Sequence, residues 1–95
     1  SEVENILGSH EKIKDIAVVG SSDKKWGEIV CAFVVLKEGL KVTEKDLITW
    51  TKHRIANYKC AKRIYFIKDK EMPRNVTGKI LHKELRLMLK EIKNA

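Results

Sequence analysis

The sequence predicts an α+β domain: a small three-stranded, largely antiparallel sheet covered by about three helices. Three observations carry this. Apolar residues recur at helical spacing near residues 2–11, 43–58 and 78–92. Runs of β-branched and aromatic residues lie between them, bounded by Gly, Ser and Asp. The order is α, β, β, α, β, α, with no repeat, low-complexity tract or linker, and three helices suffice to hide the faces of such a sheet.

Ser1 and Glu4 have the spacing of a capping box, the serine accepting from the third helical amide and the glutamate reaching back. Val3, Ile6, Leu7 and His10 share one face, so residues 2–11 read as the first helix. Ile16-Ala17-Val18-Val19 is a first strand, closed by Gly20-Ser21-Ser22-Asp23. Residues 29–36 form a longer apolar run without strict alternation, the pattern of a central strand covered on both faces. The short loop between these two runs favours an antiparallel pair. Thr43 with Asp46 opens the second helix, and Leu47, Thr51, Ile55 and Tyr58 form its stripe, widened by Ile48 and Trp50. Residues 63–67 give a third strand, and a loop from Lys68 to Thr77 follows. The last helix is expected from about Gly78 to Ile92, with Leu81, Leu85, Met88, Leu89 and Ile92 inward and Lys83, Arg86, Lys90 and Lys93 outward.

A chain of 95 residues makes one domain, and at that size it buries only about 60–65% of its unfolded surface. It has little room to enclose a nucleotide, so a site shared with a second domain or chain is expected. Residues 1–50 carry 7 Lys/Arg against 9 Asp/Glu, and residues 51–95 carry 13 against 4, so the net charge of +7 belongs to the second half. That asymmetry fits a polyanionic partner or a lysine-rich solvated surface. Cys31 lies inside the apolar run and reads as a buried free thiol; Cys60 is far from it in sequence, and no secreted disulfide pattern exists. No run approaches the roughly 18 apolar residues of a membrane span and no signal peptide is visible, so a cytoplasmic location is expected.

The most informative stretch is Met72-Pro73-Arg74-Asn75-Val76-Thr77-Gly78-Lys79-Ile80-Leu81, which holds the only proline. It reads as a rigid turn presenting Lys79 just before a helix, where glycine admits close approach and the helix start favours an anion. Taken as chemistry alone, this signal is weak and Lys79 reads first as a solvated amine. A P-loop is excluded, because the earlier glycine is missing and Ile80 stands where Ser or Thr would hold Mg²⁺. His10, His53 and His82 have no partner at ligand spacing, so no metal site is expected. No Ser or Cys sits in an elbow motif. The basic last helix lacks interleaved aromatics, so nucleic acid is not expected as a partner, although a non-enzymatic basic nucleic-acid-binding module stays as an alternative.

Four pieces, in order, resemble the C-terminal domain of the adenylate-forming enzymes, the superfamily of acyl-CoA synthetases, luciferases and peptide-synthetase adenylation domains. They are Ser1-Glu2-Val3-Glu4 with Ile16 to Gly20; Trp26-Gly27-Glu28 with Ala32-Phe33-Val34-Val35; Tyr58-Lys59; and Pro73 to Ile80. The resemblance covers nearly the whole chain. It implies an acyl-CoA synthetase that joins a carboxylic or fatty acid to ATP as acyl-AMP and then passes the acyl group to CoA. It implies a lid moving between two orientations over its own N-terminal domain, which holds ATP, the acid and Mg²⁺. Lys79 is then the adenylation lysine, with Gly78 and Thr77 beside it at the adenylate. Lys52, Arg54 and Lys59 are candidates for the CoA phosphates by rough position; each also reads as an ordinary solvated charge. Arg74 to Leu81 and Glu84-Leu85-Arg86 favour the acyl-CoA branch. A peptide-synthetase domain loading a carrier protein is the alternative.

The sequence starts at the capped first helix, so it is expected to be part of a longer protein whose hinge and β-hairpin precede it. His82 stands where the family frequently has arginine, which puts an anion contact there in doubt.

Overall fold

The middle strand of the sheet organises everything else. In the computed structural model, which describes residues 1–94, the elements are α1 (Glu2–Gly8), β1 (Ile13–Asp23), β2 (Gly27–Leu36), α2 (Glu44–Lys52), β3 (Arg63–Phe66) and α3 (His82–Asn94). Single 3-10 turns at Asn57–Lys59 and Asp69–Glu71 flank β3. The strand order is β1-β2-β3.

Alternation along β2 feeds two cores. Ala32 and Val34 pack with Val3, Leu7, Leu47 and Ile64 under α1 and α2. Cys31, Phe33 and Val35 face the other way, with Ala17, Val19, Met72, Leu85 and Leu89 under α3. The apolar run therefore does belong to a strand covered on both sides. Cys31 is buried there as a free thiol, and burial pushes its pKa up, so it is not a poised nucleophile.

β1 and β2 are antiparallel, paired from Ile13 opposite Leu36 to Asp23 opposite Gly27 with one register shift between Ile13 and Asp15. β1 is far longer than its apolar Ile16–Val19 stretch because backbone pairing with β2 carries on through the polar residues Gly20 to Asp23 and back to the buried Ile13. The turn joining the strands is fixed locally: Asp23 Oδ1 accepts from the amides of Lys25 (2.8 Å) and Trp26 (2.9 Å), and Gly27 closes it at φ +81°. β2 and β3 pair in parallel, from Cys31 beside Arg63 to Val34 beside Phe66. The sheet is thus mixed. α2 is the crossover between β2 and β3, and a helix of that kind returns the chain in the direction it left.

The helix ends differ from the sequence reading in four respects. Glu4 donates its amide to Ser1 Oγ (3.2 Å), but its carboxylate does not return to Ser1; Oε2 accepts from the Val18 amide of β1 (3.0 Å) instead. α1 stops at Gly8 rather than running to residue 11. α2 has its expected cap, with the Asp46 amide on Thr43 Oγ1 (3.1 Å), yet ends at Lys52. Ile55 and Tyr58 therefore lie beyond the helix, and Tyr58 is 80% exposed. The chain must turn there to reach β3, which it enters with the Lys62 amide on the Val30 carbonyl (2.8 Å). Finally, α3 begins at His82, not Gly78, because Gly78 to Leu81 close a hairpin.

Candidate functional site

Lys79 sits on a small hairpin between β3 and α3, and the sequence of that hairpin explains its shape. Arg74 and Ile80 form an isolated antiparallel bridge. Across it the Asn75 amide donates to the Lys79 carbonyl (2.9 Å) and the Leu81 amide to the Pro73 carbonyl (2.9 Å). The Gly78 amide donates to the Asn75 carbonyl (2.9 Å), which makes residues 75–78 a tight turn. Gly78 adopts φ +89°, a conformation that costs a side-chain-bearing residue about 1–2 kcal/mol.

Asn75 holds the inside of this turn. Its Oδ1 accepts from the Thr77 amide (3.0 Å), the Thr77 hydroxyl (2.8 Å) and the Lys79 amide (2.9 Å). The amides of Thr77, Gly78 and Lys79 are therefore all used within the hairpin. The sequence reading placed Lys79 at a helix start with free amides; the structure corrects this. Lys79 precedes α3 by three residues, and what it presents outward is its exposed ammonium alone. No carboxylate among the described residues lies within ion-pair reach of it. Thr77, Gly78 and Lys79 follow one another along the hairpin, with Val76 fully exposed beside them at the tip.

The hairpin is seated on the sheet by Arg74. Its Nη2 donates to Asp15 Oδ2 of β1 (2.6 Å) and to Asp69 Oδ1 (3.0 Å), and its Nη1 to the Asp69 carbonyl (3.1 Å). Lys14 reaches Asp69 Oδ2 from the other side (3.0 Å). Hydrogen bonds from Lys14 and then Arg74 hold the Asp69 carboxyl below the usual carboxylate range. The stems are buried as well: Met72 is 4% exposed and Ile80 packs against the α3-side core.

The three expected CoA-phosphate cations have different surroundings. Lys52 ends α2 in solvent. Arg54 turns back, with Nη1 on the Trp50 carbonyl (2.9 Å) and its guanidinium 3.9 Å from the Trp50 ring. Lys59 pairs with Glu2 (2.9 Å), and that hydrogen bond raises its pKa. His82 opens α3 with Nε2 3.5 Å from Glu4 Oε2, so it faces α1 rather than open solvent.

A second cationic surface, not found from the sequence, lies at the other end of the sheet. The Trp26 ring has Lys25 Nζ 5.0 Å and Lys62 Nζ 4.9 Å from its centre. Beside it is a cavity of about 360 Å³ lined by Trp26, Lys62, Arg63, Tyr65 and Lys93. Asp15, at the Lys79 end, and Asp23, at this end, are eight steps apart on β1, or about 26 Å of strand. Only strand pairing brings Trp26 and Lys62 together, so no sequence spacing announces it.

Residues 2–79 match the family described as the AMP-binding enzyme C-terminal domain. The chain belongs to this family. A 2-succinylbenzoate–CoA ligase of Bacillus cytotoxicus is 42% identical over 91 residues, 96% of this chain and 18% of the ligase. A Mycobacterium tuberculosis fatty acyl CoA synthetase superposes with TM-score 0.82 at 37% identity, over 92% of this chain and 17% of that one. A double mutant of o-succinylbenzoate CoA synthetase from Bacillus subtilis, bound with its product analogue, superposes at 0.78 with 35% identity, over 90% and 17%. This AMP-binding C-terminal domain thus spans under a fifth of the length of the relatives it matches. No helix among its described residues is long and apolar enough to cross a membrane.

Proposed function

We propose that this domain is the mobile C-terminal lid of an acyl-CoA synthetase and that Lys79 serves its first half-reaction. There a carboxylate oxygen attacks the α-phosphorus of ATP, a P–O bond forms, and the bond to pyrophosphate breaks. Two anions must approach and negative charge must move onto the leaving group. A single ammonium delivered into a closed site offsets both, and a site walled by two domains excludes the water that would screen it. The observation that carries this reading is the hairpin: the amides of Thr77, Gly78 and Lys79 are satisfied internally, its stems are seated, and one unpaired cation projects from it. Thr77 and Gly78 flank the adenylate in this arrangement and set how closely the loop approaches it. The N-terminal domain supplies the ATP and acid pockets and the Mg²⁺ site.

In the second half-reaction the CoA thiolate attacks the acyl carbonyl and AMP leaves. A second orientation of the lid serves it, with Lys79 withdrawn. The sheet has cationic groups at both ends, and a rotation that removes Lys79 brings a different face to the shared cleft. Lys52, Arg54 and Lys59 are candidates for the CoA phosphates on that face. Arg54 and Lys59 would exchange their present partners, Trp50 and Glu2, for the phosphates.

The test is Lys79→Ala in the full-length enzyme. Acyl-adenylate formation should fall by on the order of 10²–10³ or more, while transfer from supplied acyl-adenylate to CoA stays nearly unchanged. Equal loss in both half-reactions would refute the role.

A further inference from the structure

We infer that Asp15, Arg74 and Asn75 are positioning residues for Lys79: an ionic clamp and an internal turn that together fix where its ammonium is delivered. This rests on the role proposed above for Lys79 and adds residues that act through the hairpin's base and backbone.

The argument begins in β1. The register shifts between Ile13, opposite Leu36, and Asp15, opposite Val35, so Lys14 is an extra residue. Such bulges re-aim the side chains next to them. Asp15 uses Oδ1 on the Ile16 amide (2.9 Å) and Oδ2 on Arg74 (2.6 Å). One oxygen of the carboxylate is thus held by the strand and the other by the hairpin. The planar guanidinium spans Asp15 and two acceptors of Asp69, its Oδ1 and its carbonyl, a geometry an ammonium cannot copy. Arg74 is 28% exposed and Asp15 31%, so the pair is partly shielded from water.

From Arg74 the constraint passes to Lys79 through one residue. Asn75 follows Arg74 in sequence and bonds Lys79 twice, by its amide to the Lys79 carbonyl and by Oδ1 to the Lys79 amide. Both backbone groups of Lys79 are thereby fixed to the sheet through a path of two side chains. Nothing else holds the loop tip: Val76, Thr77 and Gly78 are exposed. If Asn75 is lost, the tip keeps its stems but not its internal acceptor, and the ammonium samples a wider volume.

The experiment uses the full-length enzyme with Asp15→Asn, Arg74→Lys, Asn75→Ala and Asn75→Asp, beside Lys79→Ala. Acyl-adenylate formation is read by pyrophosphate release, and thioester formation by supplying acyl-adenylate and CoA. For Asn75→Ala and Arg74→Lys, kcat for adenylation should fall roughly 10–100-fold, the loss expected of a misplacement near 1 Å. KM for ATP and the rate of thioester formation should each change less than about threefold, since neither depends on where the lysine is delivered. Asn75→Asp keeps the Oδ1 acceptor and should recover most of the rate. A parallel fall in both half-reactions, or no fall in adenylation for any of the variants, overturns the inference. Should Lys79→Ala leave adenylation intact, the role of Lys79 itself is wrong; should Lys79→Ala abolish it while the Asn75 and Arg74 variants stay active, only the positioning inference fails.

Discussion

Arg74 Nη2 lies 2.6 Å from Asp15 Oδ2, joining the base of the Lys79 hairpin to the bulged end of β1 across 59 residues of sequence. Those two groups decide that the lysine is presented at one end of the sheet and not along the side of α3. Expectations for stability and pH response follow from the same network and from the two cores.

Phe33 is fully buried in the centre of β2, with its ring centre 5.5 Å from that of Tyr65. Phe33→Ala removes a ring from the α3-side core and leaves a cavity between β1, β3 and α3. A loss of about 3–5 kcal/mol is expected, a large part of what a domain of this size has. Urea unfolding followed by circular dichroism checks it; a loss under about 1 kcal/mol means the core repacks or is looser than described.

Gly78 at φ +89° has no atom within 4 Å of the place a Cβ would take. Gly78→Ala therefore meets no clash and suffers only the backbone penalty, about 1–2 kcal/mol. The melting temperature should drop by about 4–16 °C. If the Tm is unchanged, the turn does not need positive φ, or the hairpin already moves freely.

His10 packs edge-on against Trp50 at 4.7 Å, and its Nδ1 accepts from the Lys12 amide (3.0 Å). Burial, partly countered by Glu11, lowers its pKa below the ordinary 6.5. The folded state thus favours the neutral ring more than the unfolded chain does. Its contribution is present above the unfolded pKa and is lost as pH falls through the folded value. Stability should decline on acidification below about 6.5, and His10→Asn, which keeps an acceptor near the Nδ1 position, should flatten that part of the profile. An unchanged slope in the variant assigns the pH dependence to other groups.

Acetylation of Lys79 removes its charge while leaving its two hydrogen bonds to Asn75, both of which use the Lys79 backbone. Quantitatively acetylated full-length enzyme should lose acyl-adenylate formation with an unaltered Tm. Retained adenylation in fully modified protein excludes the charge as the working feature.

The sequence alone determined the strands, the helices that cover them and the presence of an exposed Lys79. Period-2 and period-3.6 patterns and turn residues are local signals, and the unbroken run from Ile29 to Leu36 has the pattern of a strand with both faces buried, which it is. Four pieces in order carried the family resemblance, the motif from Pro73 to Ile80 among them. Tertiary structure decided what depends on groups distant in sequence. It made β3 parallel to β2, because the crossover helix settles direction and periodicity does not. It ended α2 at Lys52 despite apolar spacing that continued to Tyr58, because the chain had to reach the edge of the sheet. It moved the start of α3 to His82 by pairing Arg74 with Ile80. It also placed Arg54 and Lys59 against Trp50 and Glu2, and gathered Trp26 and Lys62 at the far end. A lone side chain's chemistry can be read from its letter, but its partners are set by which strands lie side by side.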